Sequence, residues 1–252
     1  MTTTIVVAGK GGVGKTAVSA LLIDLLSRKG VVLAIDADPS TNLSDALSLP
    51  LGGTVGKARE DLTADIQKGL LSPTVPKQDV LDMKLREALV ESAKIDLLAM
   101  GRPEGPGCYC AANHMLRLSM ERLAKNYDYM VVDSEAGMEH ISRQTTQDVD
   151  FLLIVSDPTM RGIKTAARMK ELIKEMRTKV GKIYLTVNRV KGELPKEIEK
   201  AVGDFGLDLI AIIPEDPNIA EIDIKGEPIT ELPENSPLRQ GTKEVLAKFE
   251  LL

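Results

Sequence analysis

The chain has 252 residues, of which 43% are hydrophobic and 27% charged, enough to bury a large core and too apolar for a disordered tail. Its 32 Lys+Arg against 37 Asp+Glu leave a formal charge of −5, a poor starting point for sequence-independent nucleic-acid binding, and 3% aromatic residues with no Trp make no base-stacking platform. No apolar run approaches the roughly 18–20 residues that span a bilayer, MTTTIVVAGKGG has neither a basic n-region nor a long apolar h-region, and two cysteines are too few for a disulfide-held secreted scaffold. The expectation is a cytoplasmic protein with no stable membrane insertion.

In chain order, short β-branched runs alternate with helical patterns. The runs Thr4–Ala8, Val31–Ile35, Ile95–Met100, Tyr129–Val132, Phe151–Val155, Ile183–Val187 and Leu209–Ile213 read as continuous, mainly apolar segments without in/out alternation. A parallel sheet buried on both faces needs such strands. Helices are predicted over Lys15–Arg28, Met115–Lys125, Met160–Lys179 and Pro195–Phe205. Helical insertions and loops are expected over Thr54–Glu91, a surface loop over Glu227–Pro237, and a last short helix over Thr242–Phe249. The rhythm predicts an α/β fold: a doubly wound, mostly parallel sheet of about seven or eight strands flanked by helices, with ligand loops at the strand C-termini. With no internal repeat, residues 1–252 are read as one domain.

The first loop carries Gly9-Lys10-Gly11-Gly12-Val13-Gly14-Lys15-Thr16, then Ala17, between a strand pattern and a helix pattern. It satisfies G-x-x-x-x-G-K-[ST] in full. Glycines let backbone N–H groups curl around phosphates, the helix N-terminus adds partial positive charge, Lys15 can reach the β- and γ-phosphates and the Thr16 hydroxyl can bind Mg²⁺. Asp36 and Asp38 follow the second strand and suit metal and water positioning; the alternative use of such a stretch is an Asp-Pro turn. Tyr129–Val132 ends in Asp133, which can hold Mg²⁺ through water, and Gly137 in the next loop can offer its N–H to the γ-phosphate. The guanine-reading N-K-x-D pattern is absent, because Asn188 is followed by Arg189, Val190 and Lys191. That favours ATP over GTP.

Cys108 and Cys110, the only cysteines, sit one residue apart in GPGCYC. Three uses compete: inert buried thiols, a strained disulfide, or half of a metal site. Two thiolates under-fill a four-coordinate soft ion, and two chains would supply four. His114 and His140 are not assigned as ligands.

The string KGGVGKT, with its early lysine, resembles the deviant phosphate loop of the MinD/ParA/ArsA/nitrogenase-iron-protein class. The resemblance implies that Lys10 reaches the partner's nucleotide across a homodimer, that Asp38 orients or deprotonates the attacking water, and that Asp36 supports the metal's water shell. It further implies that Asn188 contacts adenine and that the loop Pro214–Asp216 closes over it, with Arg189 also at the nucleotide. Together with DADPSTNLSDAL, GCYC and DSEAGMEHISR, the whole chain looks like the CooC-type nickel-insertion ATPases, including the AcsF form. That likeness implies ATP hydrolysis, a nucleotide- or metal-dependent homodimer holding Ni²⁺ (or Zn²⁺) on Cys108 and Cys110 of both subunits, and a client such as carbon monoxide dehydrogenase or acetyl-CoA synthase. An iron-protein-like reductase is disfavoured because 133–143 lack a second cysteine, a membrane-positioning ATPase because the charges of the tail TKEVLAKFELL cancel, and a DNA-positioning ATPase because the overall charge is acidic.

Overall fold

The structure is a computed structural model that describes residues 1–72, 74–101, 118–135, 148–175 and 179–252. Its centre is a seven-stranded sheet in the order β3-β2-β4-β1-β5-β6-β7, every neighbouring pair parallel. The strands are β1 (Thr3–Gly9), β2 (Val32–Asp36), β3 (Ile95–Ala99), β4 (Tyr129–Asp133), β5 (Asp148–Ser156), β6 (Lys179–Val190) and β7 (Leu209–Pro214). The helices are α1 (Lys15–Ser27), α2 (Asn42–Leu47), α3 (Val55–Gln67), α4 (Lys77–Ala88), α5 (Met160–Glu175), α6 (Lys196–Asp204), α7 (Asn218–Lys225) and α8 (Pro237–Lys248), and residues 118–124 are also helical.

The unbroken apolar strands are explained by two cores. Ile5 and Val7 of β1, Val32 and Ala34 of β2, and Leu153 and Val155 of β5 pack on the face that carries α1, α2 and α8. The alternate residues Val6, Ala8, Leu33, Ile35, Leu152 and Ile154 pack on the face that carries α3, α4, α5 and α6. Successive side chains point to opposite faces, and both faces are covered. α1 is apolar nearly all round because it is enclosed: Leu21, Leu22, Ile23 and Leu26 have no exposed surface.

All seven expected strands are present; the differences are the unexpected short helices α2 and α7, a 3-10 turn (Ile229–Glu231) that buries Ile229 within the expected surface loop, and shifted element ends. β5 and β6 run past their apolar centres because polar residues keep the pairing, with Asp148 opposite Lys179 and the Asp150 carboxylate accepting the Thr4 N–H at 2.8 Å. Lys179, expected as the end of the helix that forms α5, is instead the first residue of β6; α5 is described as far as Glu175. The insertion Thr54–Glu91 resolves into α3 and α4. The last helix starts five residues earlier than expected, at Pro237, which occupies the first turn while Ser236 caps it by accepting the Arg239 N–H. Proline is pre-organised for that position, so it marks a helix start here rather than a loop.

β1 lies where the sheet order reverses, between β4 and β5. In open α/β sheets that switch point, at the strand carboxyl ends, is where ligands bind. The loop Gly9–Gly14 leaves β1 at this point.

Candidate active site: the β1–α1 phosphate loop

Gly14 precedes α1 in the left-handed region at φ 93°, and no side chain caps the helix; its first turn carries no acid. The unpaired N–H groups and positive end of α1 are thus open toward the loop. Close packing fixes two of the glycines. A Cβ on Gly9 would lie 2.2 Å from the Val155 carbonyl oxygen, and one on Gly14 would lie 2.6 Å from Asn188 Nδ2. Gly11, Gly12, Gly14, Lys15, Thr16 and Ala17 line one end of a cavity of ≈ 1070 Å³, with Asp38, Glu135 and Arg189 also on its wall.

The β2–β4 flank contributes carboxylates. Asp133 is buried at the end of β4 and accepts from Thr16 Oγ1 at 2.7 Å and Ser19 Oγ at 2.9 Å. Burial, the largest influence, pushes it up to about 6 against the two hydrogen bonds and the Lys15 charge. Asp36 is fully buried at the end of β2, and burial likewise raises it to about 6, opposed by backbone hydrogen bonds. Its two oxygens accept the N–H groups of Asp38 at 3.0 Å and Leu43 at 2.9 Å, so Asp36 fastens the loop into α2. Asp38 Oδ1 accepts from Ser40 N at 2.8 Å, and the residue faces the cavity.

The β5–β6 flank holds the loop itself. Asn188 Nδ2 donates to the Val13 carbonyl at 2.9 Å, and Arg189 Nη1 donates to the Gly12 carbonyl at 2.8 Å. Arg189 adopts φ 61°, a left-handed conformation rare for a side chain of its size. Lys15 Nζ donates to the Lys10 carbonyl at 3.3 Å, and Lys10 Nζ stands 3.6 Å from Asp157. Val13 is buried in the core under the loop.

Of the expected site residues, the loop from Gly9 to Ala17 comes together with Asp36, Asp38, Asp133, Asn188 and Arg189. Asn188 is buried behind the loop, while Arg189 reaches the cavity. Pro214 is exposed and Asp216 is buried outside the cavity lining. Asp216 accepts from Ser236 Oγ and from the N–H groups of Leu238 at 3.2 Å and Asn218 at 2.9 Å. Its burial would raise it, but these hydrogen bonds outweigh that and hold it below the usual carboxylate range. It therefore ties the start of α7 to the start of α8. Cys108, Cys110, His114, Gly137 and His140 lie outside the described residues.

Two participants escaped the sequence reading. Ser19 lies three residues after Thr16 and so on the same helix face, a spacing that could have revealed it. Asp157 follows the last residue of β5 much as Asp38 follows the end of β2, and a search for acids at strand ends would have found it.

The sequence profile of the CobQ/CobB/MinD/ParA nucleotide-binding domain matches residues 4–229. The chain belongs to this family. As a member it is an ATPase with the P-loop NTPase fold. It is 44% identical to an uncharacterized ATP-binding protein of Methanocaldococcus jannaschii over 97% of each chain. It is 36% identical to the carbon monoxide dehydrogenase accessory protein CooC of Rhodospirillum rubrum, over 68% of this chain and 69% of the relative. The solved MinC:MinD cell division protein complex of Aquifex aeolicus contains a chain 27% identical, with a TM-score of 0.71, covering 98% of this chain and 96% of that one. Among the described residues no helix is long and apolar enough to cross a membrane.

Proposed function

We propose that this protein is an ATP-driven metallochaperone, one domain across residues 1–252, that binds nickel (or zinc) between two copies of itself and helps to insert nickel into carbon monoxide dehydrogenase or acetyl-CoA synthase. The observation that carries the reading is the 36% identity to CooC over 68% of the chain. The C-x-C pair Cys108/Cys110 supports it, since two pairs supply the four soft ligands that one chain lacks.

The hydrolytic half is built from the loop. Loop N–H groups, the α1 terminus and Lys15 receive the phosphates of ATP. The Thr16 hydroxyl and Asp133 form an all-oxygen donor set that fits a hard cation, and Asp36 stands behind them. Mg²⁺ held there would supply charge neutralisation on the phosphates. Asp38, on the cavity wall, orients the attacking water, and Gly137 offers its N–H to the γ-phosphate. Lys10 reaches the nucleotide of the partner copy. Arg189, on the cavity wall, is the nucleotide contact best supported by position; the side chains of Asn188 and Asp216 are engaged with Val13 and with Ser236, Leu238 and Asn218, which leaves the backbone of these two residues and Pro214 to close over adenine.

A membrane-positioning role, suggested by the likeness to MinD, fits less well. Leu238, Val245 and Leu246 of α8 and the adjoining Phe249 are buried in the core, which leaves that helix no apolar face for a lipid surface.

The test is equilibrium dialysis against Ni²⁺ with a non-hydrolysable ATP analogue. About one ion per dimer is expected, lost in Cys108→Ala/Cys110→Ala while ATP binding persists. Unchanged nickel affinity in that variant refutes the cysteine site.

A further inference from the structure

The ammonium of Lys10 stands 3.6 Å from the Asp157 carboxylate, with side chains 38% and 26% exposed. Asp157 directly follows β5, the strand paired with β1, so the contact bridges two adjacent strand ends at the mouth of the phosphate loop. The carboxylate is aimed by its surroundings. Its Oδ1 accepts from Thr159 Oγ1 at 2.7 Å, and that hydroxyl accepts from the Gly162 N–H at 3.0 Å in the first turn of α5. The arrangement requires glycine at 162. A Cβ there would lie 2.1 Å from Asp157 Oδ1 and 2.5 Å from Ser156 Oγ. The Asp157 carboxylate thus occupies the space that a side chain at 162 would take, and from there it faces Lys10.

We propose that Asp157 is a positioning residue for ATP hydrolysis that retains Lys10 on its own protomer and so opposes the nucleotide-driven meeting of two copies. The inference rests on the reading of Lys10 as a contact to the partner's nucleotide. One ammonium cannot stay against Asp157 and also reach a phosphate across an interface. Closing a dimer therefore breaks two such pairs. An exposed ion pair shifts an equilibrium by about 1.4- to 5-fold, so two set the dimer constant by about 2- to 30-fold. The pair also disfavours dimers before nucleotide arrives, because only a triphosphate offers Lys10 a stronger anionic partner than one carboxylate.

The experiment is sedimentation velocity on the full chain with Mg²⁺ and a non-hydrolysable ATP analogue, at low and at high salt. Asp157→Asn is expected to dimerise about 2- to 30-fold more tightly than the unaltered protein at low salt. The gap should narrow at high salt, because screening weakens an exposed pair. Gly162→Ala keeps the charge but displaces the carboxylate, and it should shift dimerisation in the same direction. Equal or weaker dimerisation of both variants at low salt, or a gap indifferent to salt, overturns the proposal. Lys10→Ala separates the two levels. If it dimerises and hydrolyses like the unaltered protein, the intermolecular reading of Lys10 fails and the proposal falls with it. If it is impaired while Asp157→Asn matches the unaltered protein, only the retention by Asp157 is disproved.

Discussion

The two flanks of the phosphate loop are built on opposite electrostatic terms. On the β2–β4 side, Asp36 and Asp133 are buried carboxylates raised to about 6 and, among the described residues, held by hydroxyl and backbone donors rather than by a salt bridge. On the β5–β6 side, Asn188 and Arg189 clasp loop carbonyls and Asp157 meets Lys10 in a partly exposed ion pair. One flank keeps negative charge in a place where burial penalises it, as a site for a divalent cation and phosphate chemistry should. The other consumes its polar groups in fixing the loop. Chemistry and positioning are thus assigned to different strands.

The largest expected effect on nucleotide binding tests the loop that both flanks serve. Lys15→Ala removes a buried ammonium from the phosphate cradle and should weaken ATP binding on the order of 100-fold, measured by calorimetric titration. Binding within a few-fold of the unaltered protein would contradict the placement of the phosphates. A smaller effect separates the flanks by pH. Asp36 and Asp133 are raised to about 6, against 3.8 for an ordinary aspartate carboxyl, so the folded state holds more protons in that interval. Their contribution is fully present below the unfolded value and is lost as pH rises through about 6. Asp216 and Asp82 are shifted downward instead, so what they contribute is present above the unfolded value and is lost only as pH falls further. The nucleotide-free protein should therefore melt about 2–8 °C higher at pH 5 than at pH 7.5, for a gain on the order of 1–2 kcal/mol. Asp133→Asn should flatten the difference, and a melting point that falls on acidification would refute the assignment.

Much of this arrangement was legible in the residues. The seven strands declared themselves through apolar runs that no half-exposed sheet tolerates, and G-x-x-x-x-G-K-T between a strand and a helix fixed the loop. Strand ends were less legible, because Asp148 and Lys179 pair in the sheet although their polarity resembles a loop. The second role of Arg189 was not readable, since its contact with Gly12 joins residues 177 apart in sequence. Asp216 shows the converse: an acid after a strand, expected at the nucleotide, whose oxygens are engaged with Ser236, Leu238 and Asn218. Sequence patterns report which residue types stand at strand ends; the tertiary hydrogen bonds decide what those residues do.

The division between the flanks is tested most directly by measuring the hydrolysis rate and the ATP dissociation constant side by side for Asp38→Asn and Arg189→Ala. Asp38→Asn should lower the rate by about 100-fold or more with little change in affinity, whereas Arg189→Ala should lose affinity severalfold and keep most of the rate of the bound complex. The reverse pattern, or equal losses in both constants for both variants, would contradict the account.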